Sequence, residues 1–217
     1  MQNYFRCCFS CGELGVSKTS KVFCSDCECK ILRTPLVIER RQQWTSYSLL
    51  SWNNDAEGSG RIVHSQKGGR TINIHAFFAR ALVRKLLVHF DFLNMKNLVF
   101  VPAPARNTLE IDHASSFAEE LSKVLGGEVW PLLRRISVEE QKGLDLEERK
   151  RVRLLIENDQ LLQPHHQVLF IDDLIVSGST ANAAYLALGK PKNFAVLTLA
   201  SRPRLQNLVK IAINSDA

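Results

Sequence analysis

The chain has 217 residues, 45% of them apolar, which is enough for one full domain and a small appendage. It carries 28 Lys and Arg residues against 22 Asp and Glu residues, and this formal charge of +6 favours polyanionic partners such as nucleic acid or phosphorylated metabolites. The N-terminus lacks the apolar core of a signal peptide, and no uncharged apolar run approaches the ~18 residues that a membrane span needs. We therefore expect a cytoplasmic protein with no membrane span.

The six cysteines are confined to the first 29 residues: Cys7, Cys8, Cys11, Cys24, Cys27 and Cys29. In a reducing cytoplasm such a cluster is typical of metal ligands rather than disulfides. Cys8, Cys11, Cys24 and Cys27 form two Cys-x2-Cys pairs separated by 12 residues, a spacing that suits four thiolates around a structural Zn²⁺ ion. A shifted ligand set that uses Cys7 or Cys29, or a group of free or redox-active thiols, remains open. We predict a small zinc ribbon with four cysteine ligands over residues 1–35.

Residues 36–217 show the alternating helix and strand periodicity of an α/β domain. Residues 37–65 suggest two short strands, with turn signals at 53–55 and 58–60 between them. The elements that follow are a helix over 76–90, a strand over 97–101, a helix over 114–125, a strand over 167–171, a helix over 179–188 and a strand over 194–200. This alternation predicts a mainly parallel sheet flanked by helices.

A strand that ends in two carboxylates, a short apolar spacer and a Ser-Gly-Ser-Thr turn that opens a helix follow one another near the C-terminus. The carboxylates can accept hydrogen bonds from ribose hydroxyls, while the turn presents N–H groups and hydroxyls to a phosphate. The alternative is an ordinary strand-to-helix junction, but the combination of parts favours a ribose 5-phosphate site. A Walker-type loop is excluded because its Gly-Lys-Ser/Thr is missing. The residues predicted to bind the ligand are Asp172, Asp173, Val176, Ser177, Gly178, Ser179 and Thr180.

The loop resembles the phosphoribosyl-diphosphate (PRPP) signature of type I phosphoribosyltransferases, and nearly the whole chain is similar to the ComF/GntX family. Besides the loop and the cysteine pairs, the resemblance rests on Lys67-Gly68-Gly69, on Val101-Pro102-Ala103-Pro104, on Leu133-Arg134-Arg135, on Gln141-Lys142-Gly143-Leu144 and on Glu148-Arg149. It implies a type I phosphoribosyltransferase-like domain behind a zinc ribbon, with PRPP and Mg²⁺ as ligands. It also implies Asp172 and Asp173 as the catalytic residues, and a role in natural competence, in which imported single-stranded DNA is handled alongside other competence proteins.

The resemblance further implies that Arg134, Arg135, Lys142 and Arg149 belong to a hood over the site, although a solvated charged surface explains them equally well. Where related sequences have an Arg-rich stretch after Val-Pro-x-Pro, this chain has Arg106 as its one fixed cation, with Glu110 and Asp112 nearby. Diphosphate binding is therefore expected to be weak. We expect a binding protein first, with an active phosphoribosyltransferase of nucleobase or amide metabolism and a PRPP-sensing transcriptional regulator as alternatives.

Two other features admit a functional and a structural interpretation. Arg40 and Arg41 are followed by Trp44, Tyr47 and Trp52, a mixture of cations and aromatic rings that can bind single-stranded DNA, although packing of the rings is favoured. His113 lies near the predicted site in the chain, but a lone histidine is more often a packing or surface residue, and we leave it out of the catalytic set.

Overall fold

A computed structural model describes residues 7–17, 22–52, 72–89, 96–105, 112–136, 153–157 and 161–202 of the protein. The helices are α1 (Ser25–Arg33), α2 (Ile72–His89), α3 (His113–Leu125) and α4 (Ser179–Ala187). The strands are β1 (Val37–Arg40), β2 (Thr45–Ser51), β3 (Leu98–Pro102), β4 (Glu128–Val129), β5 (Leu133–Arg135), β6 (Leu154–Ile156), β7 (Gln167–Ile175) and β8 (Phe194–Ser201).

Six of the strands form one sheet in the order β1-β2-β8-β7-β3-β4. Strand β1 runs antiparallel to β2, and every other neighbouring pair in this sheet is parallel. Strands β5 and β6 form a separate antiparallel pair. The predicted α/β class with a mainly parallel sheet is confirmed.

Helices cover both faces of the sheet. Because side chains along a strand alternate between the two faces, a central strand contributes to the apolar cluster on each side. In β7, Leu169 and Ile171 pack into the cluster that contains residues of α2 and α3. Val168 and Phe170 pack into a second cluster, on the opposite face, together with residues of α4. Strand β7 is therefore buried on both sides, and its carboxyl end is fixed from both sides.

The cysteine-rich segment shares the core of the larger domain. Phe23 is fully buried, and its ring centroid lies 5.3 Å from that of Phe77 and 5.7 Å from that of Phe78, both on α2. Lys85 of α2 donates hydrogen bonds from Nζ to the carbonyl oxygens of Ile31 and Thr34, at the end of α1. The chain passes from α1 to β1 across residues 34–36, and the predicted domain boundary at residue 35 stays a prediction.

None of the helices in the described part of the chain is both long enough and apolar enough to cross a membrane.

Candidate phosphate-binding site and metal centre

The predicted phosphate loop connects β7 to α4. Gly178 is the N-cap of α4 and adopts the left-handed conformation, with φ 77° and ψ 11°, which glycine reaches without steric cost. Ser177 Oγ accepts a hydrogen bond from the backbone N–H of Ser179 at 3.2 Å and lies 2.9 Å from Ser179 Oγ. The exposed hydroxyls of Ser177 and Ser179 and the first N–H groups of the helix thus face the same region, as an anion site at a helix N-terminus requires.

The two adjacent acids have different surroundings. Asp172 lies within β7, opposite Thr198 of β8, and its Oδ1 accepts a hydrogen bond from the Asp173 N–H at 2.9 Å. Desolvation, and then the charge of Asp173, raises the pKa of the Asp172 carboxyl well above its usual range, while Arg135 acts to lower it. Asp173 instead lines a narrow cavity beneath α2 and α3. The structure therefore places Asp172 and Asp173 against different neighbours, although they are consecutive.

The turn between β1 and β2 packs against the phosphate loop. Arg41 Nη1 donates a hydrogen bond to the Ser177 carbonyl oxygen at 2.8 Å, which fixes the Ser177–Gly178 peptide plane. The same guanidinium lies 5.2 Å from the centroid of the Trp44 ring, and its Nη2 is 3.4 Å from Oε2 of the fully buried Glu39. Arg41 is thus held from three sides, and it holds the loop in turn.

The turn and the loop together border a cavity of about 420 Å³ that is open to solvent. The residues that line it are Arg40, Arg41, Gln42, Gln43, Trp44, Ser177, Gly178, Ser179 and Asn182. Apart from Trp44 and Gly178, each of these contributes a charged or polar side chain, and no acidic side chain is among these lining residues. The cavity is therefore suited to an anion.

The predicted hood residues are only partly described. Arg135 Nε donates to the Pro104 carbonyl oxygen at 3.1 Å, which ties β5 to the segment after β3, and Ala103 N donates to Ile171 O of β7 at 2.8 Å. Arg134 Nη1 lies 3.4 Å from the carbonyl oxygen of Arg135. Through these contacts Arg135 belongs to the surroundings of Asp172. Arg106, Lys142 and Arg149 lie outside the described residues.

Two histidines lie close to Asp173: His113, which the sequence analysis left out of the catalytic set, and His75, which it did not consider. His75 of α2 and His113 of α3 face each other with ring centroids 5.8 Å apart, and both line the cavity that contains Asp173. His75 is 2% exposed, and neither of its ring nitrogens has a hydrogen-bond partner among the described residues. Burial, followed by the charge of His113, lowers the pKa of His75 to about 4, against the opposing effects of Glu120 and Asp173. His75 is therefore neutral at physiological pH.

The four predicted zinc ligands come together. One ligand atom from each of Cys8, Cys11, Cys24 and Cys27 lies within 4.8 Å of the others, and Cys11 Sγ is 3.8 Å from Cys24 Sγ. Two thiolates on one Zn²⁺ ion are about 3.8 Å apart, given Zn–S bonds of about 2.3 Å in a tetrahedron. The donor set therefore fits a structural Zn²⁺ ion.

The two cysteine pairs are built differently. Gly12, with φ 81°, follows the first pair, and its N–H donates to the Cys8 carbonyl oxygen at 2.9 Å, which closes a tight turn. Cys24 is the N-cap of α1 and Cys27 lies in the first turn of that helix, so the second pair lies at a helix start rather than in a ribbon turn. Acidic residues in the first turn of α1 and basic residues in its last turn favour this helix.

The close packing of the four cysteines shifts the pKa values of their thiols. Burial, together with the nearby sulfurs, raises the pKa of Cys27 to about 12. Burial also acts to raise the pKa of Cys8, but hydrogen bonds from the backbone of Cys11, Cys24 and Ser10 outweigh it and lower that pKa to about 6. A divalent cation would relieve the repulsion among four thiolates at this spacing.

The sequence favours Arg41 and Trp44 as candidates for a DNA surface or for packing, whereas the structure places both of them against the phosphate loop. Trp44 is 5% exposed and Tyr47 is also buried, as the packing interpretation expects, so these two rings are unavailable for stacking on bases. The contact between Arg41 and Ser177 spans 136 residues of sequence, and no local pattern signals a pairing at that distance. Sequence alone could have identified the residues but not their partner.

No protein-family model matches this chain, and a search of curated proteins finds no significant match.

Proposed function

We propose that the chain binds a ribose 5-phosphate group, with PRPP and Mg²⁺ as the foremost ligand, at the loop from Asp172 to Thr180. The observation that carries the proposal is the arrangement at the end of β7. A carboxylate in the strand is followed by a loop whose glycine is left-handed and whose hydroxyls meet the start of α4. The loop would hold the phosphate, and Asp172 would contact the ribose hydroxyls.

The protonation of Asp172 bears on how it would act. Its raised pKa means that the surroundings of Asp172 favour the neutral carboxyl more than those of an ordinary aspartate do. A bound cation or a donating hydroxyl stabilises the ionised form, so ligand binding would lower the pKa of this carboxyl. Mg²⁺, if it accompanies PRPP, would neutralise the diphosphate and strengthen this effect.

Isothermal titration with ribose 5-phosphate, ribose and inorganic phosphate tests the proposal. We expect ribose 5-phosphate to bind at least about tenfold more tightly than phosphate, because the sugar hydroxyls add hydrogen bonds to a charged group. Ribose without the phosphate should show no measurable binding. The proposal is wrong if ribose 5-phosphate and ribose behave alike at millimolar concentration.

Phosphoribosyl transfer is the alternative activity at the same site. Among the described residues, Arg135 is the cation whose charge acts on Asp172. A diphosphate-release assay with PRPP and Mg²⁺, across nucleobases and glutamine as acceptors, separates transfer from binding. Turnover with any acceptor would make the protein an enzyme rather than a binding protein.

A role in natural competence, in the cytoplasm and with single-stranded DNA as a partner, completes the proposal. Its support is the ComF/GntX resemblance and the formal charge of +6. Binding to a single-stranded oligonucleotide should weaken as salt rises, since displaced counterions drive such binding. Absence of binding at low ionic strength would remove DNA from the list of partners.

A further inference from the structure

The cavity beside the loop is larger than a phosphate group needs. A phosphate has four oxygens, each comparable to a water molecule whose share of liquid volume is about 30 Å³, so about 120 Å³ would hold it. The cavity measures about 420 Å³. A ligand whose phosphate is held by the loop therefore has room to continue into this cavity.

The side chains that line the cavity indicate which chemical group of a ligand would occupy it beyond the first phosphate. Arg40 and Gln43 are exposed at the turn between β1 and β2, and Asn182 is exposed on the first turn of α4 across from them. These side chains supply one guanidinium and two amides, all of which can donate hydrogen bonds. Such a wall favours a group with several anionic oxygens over an apolar or cationic one.

The adjacent residues Arg40 and Arg41 differ in how much of their charge is available to a ligand. The charge of Arg41 is already compensated by the buried carboxylate of Glu39, and its Nη1 is engaged by Ser177 O. Arg40 projects to the solvent at the rim of the same cavity. The charge available to a ligand beyond the loop is therefore that of Arg40.

We propose that the cavity formed by Arg40, Gln43 and Asn182 binds a second phosphoryl group, attached to the 5′-phosphate that the loop holds. The ligand class is then the nucleoside 5′-diphosphates, in addition to sugars with a terminal 5′-phosphate. This inference rests on the proposed binding of a ribose 5-phosphate group at the loop. It places the second phosphoryl group on the 5′ side of the sugar, away from the C1 carbon at which phosphoribosyl transfer would occur.

Titration with AMP and ADP in the absence of divalent cations tests the inference, because the two ligands differ by one phosphoryl group. We expect the wild-type chain to bind ADP about tenfold more tightly than AMP, as charge-assisted hydrogen bonds to Arg40 predict. Arg40→Gln should bring the two affinities to within about twofold, with a larger loss of affinity for ADP than for AMP. Asn182→Ala should reduce the preference in the same direction.

Arg84→Gln is the matched control, since Arg84 is an exposed arginine on α2 that does not line the cavity and its loss changes the net charge equally. The control should keep the full preference for ADP. Equal binding of AMP and ADP by the wild type overturns the inference, as does an equal loss of preference in Arg84→Gln and Arg40→Gln. Failure of both AMP and ribose 5-phosphate to bind is a different result, because it removes the ribose 5-phosphate site itself.

Discussion

At the scale of single residues, Gly178 and Gly189 form a natural pair for testing the loop. Both have positive φ angles, 77° and 76°, at opposite ends of α4. A Cβ at Gly178 would lie 3.1 Å from Arg41 Nη1 and 3.1 Å from Trp44 Cη2, whereas a Cβ at Gly189 meets nothing within 4 Å. Strain from a left-handed alanine is therefore common to both positions, and crowding of the loop is specific to Gly178.

We expect Gly178→Ala to reduce the affinity for ribose 5-phosphate at least about tenfold, because the added Cβ forces the loop and the side chains of Arg41 and Trp44 apart, which misplaces the donors of the loop. Gly189→Ala should bind the ligand normally, although each substitution lowers the free energy of unfolding by about 1 kcal/mol. Titration calorimetry and urea unfolding measure the two quantities separately. Equal ligand affinities in the two variants would show that the loop is not the binding element.

Arg41 is expected to position the loop through the Ser177 carbonyl oxygen. Arg41→Lys retains the charge but lacks the planar fork that reaches both Ser177 and Glu39, so we expect several-fold weaker binding of ribose 5-phosphate. Arg41→Gln also removes a partner of the buried Glu39 carboxylate and should lower the free energy of unfolding by about 1–3 kcal/mol. Arg40→Gln, at the adjacent exposed position, should leave the free energy of unfolding unchanged. Normal ligand affinity in Arg41→Lys would contradict a positioning role.

His75 should make the stability of the protein depend on pH. Its folded-state pKa of about 4 lies below the ordinary value of 6.5, so between these values the unfolded chain binds a proton that the folded chain does not. The stabilising contribution is complete above about pH 6.5 and is lost as pH falls towards 4, to a total of about 3 kcal/mol. Urea unfolding at pH 7 and pH 4.5 measures the loss.

The His75→Leu variant should lose less stability than the wild type over the same pH interval. NMR titration of the imidazole provides a second measurement that does not require this variant to fold. A midpoint near the ordinary 6.5 would contradict the buried, neutral state.

At the scale of elements, the strongly patterned segments could be predicted and the short ones could not. Strand β3 and helices α3 and α4 agree with their predicted spans to within a residue or so at each end, because their apolar spacing and their glycine ends are local signals. Strand β7 extends to Ile175, four residues past its predicted end, because pairing with β8 continues beyond the two acids. Propensity at Asp172 and Asp173 opposes a strand, and tertiary pairing overrides it.

The hairpin of β1 and β2 shows the opposite case. The sequence has its turn signals at 53–55 and 58–60, which lie outside the described residues, while the described turn between Arg40 and Thr45 contains neither glycine nor proline. Strands β4, β5 and β6 are two or three residues long, too short for any period to be detected. The sequence therefore does not predict that this turn contributes residues such as Arg41 to the candidate site.

At the scale of the whole molecule, the four-cysteine cluster and the core are packed together, because Cys8 and Phe23 belong to the same apolar cluster as residues of β7 and α2. We therefore expect them to unfold together. Metal analysis should find about one zinc per chain. Cys24→Ser should lose the metal and lower the unfolding midpoint by about 5–10 °C, since ligand loss also loosens the contacts of the segment with α2.

Cys29→Ser is the control for this prediction, because Cys29 is exposed, lies outside the four-sulfur cluster and follows Cys27 by two residues. It should retain one zinc and the wild-type midpoint. Retention of zinc by Cys24→Ser together with its loss in Cys29→Ser would indicate the shifted ligand set. Absence of zinc from wild-type protein purified without chelator would remove the metal centre.

The position of β8 between β2 and β7 has a consequence for biosynthesis. Ser48 and Thr198 share a buried hydrogen bond across 150 residues of sequence, so the N-terminal hairpin cannot join the rest of the sheet until β8 has left the ribosome. Sheets closed by such distant contacts fold slowly, and their unpaired edges are exposed in the meantime. Because Arg41 is carried by that hairpin, a nascent chain would acquire a complete ligand site only after β8 has emerged. Chains stalled before β8 should therefore be protease-sensitive and unable to bind ribose 5-phosphate.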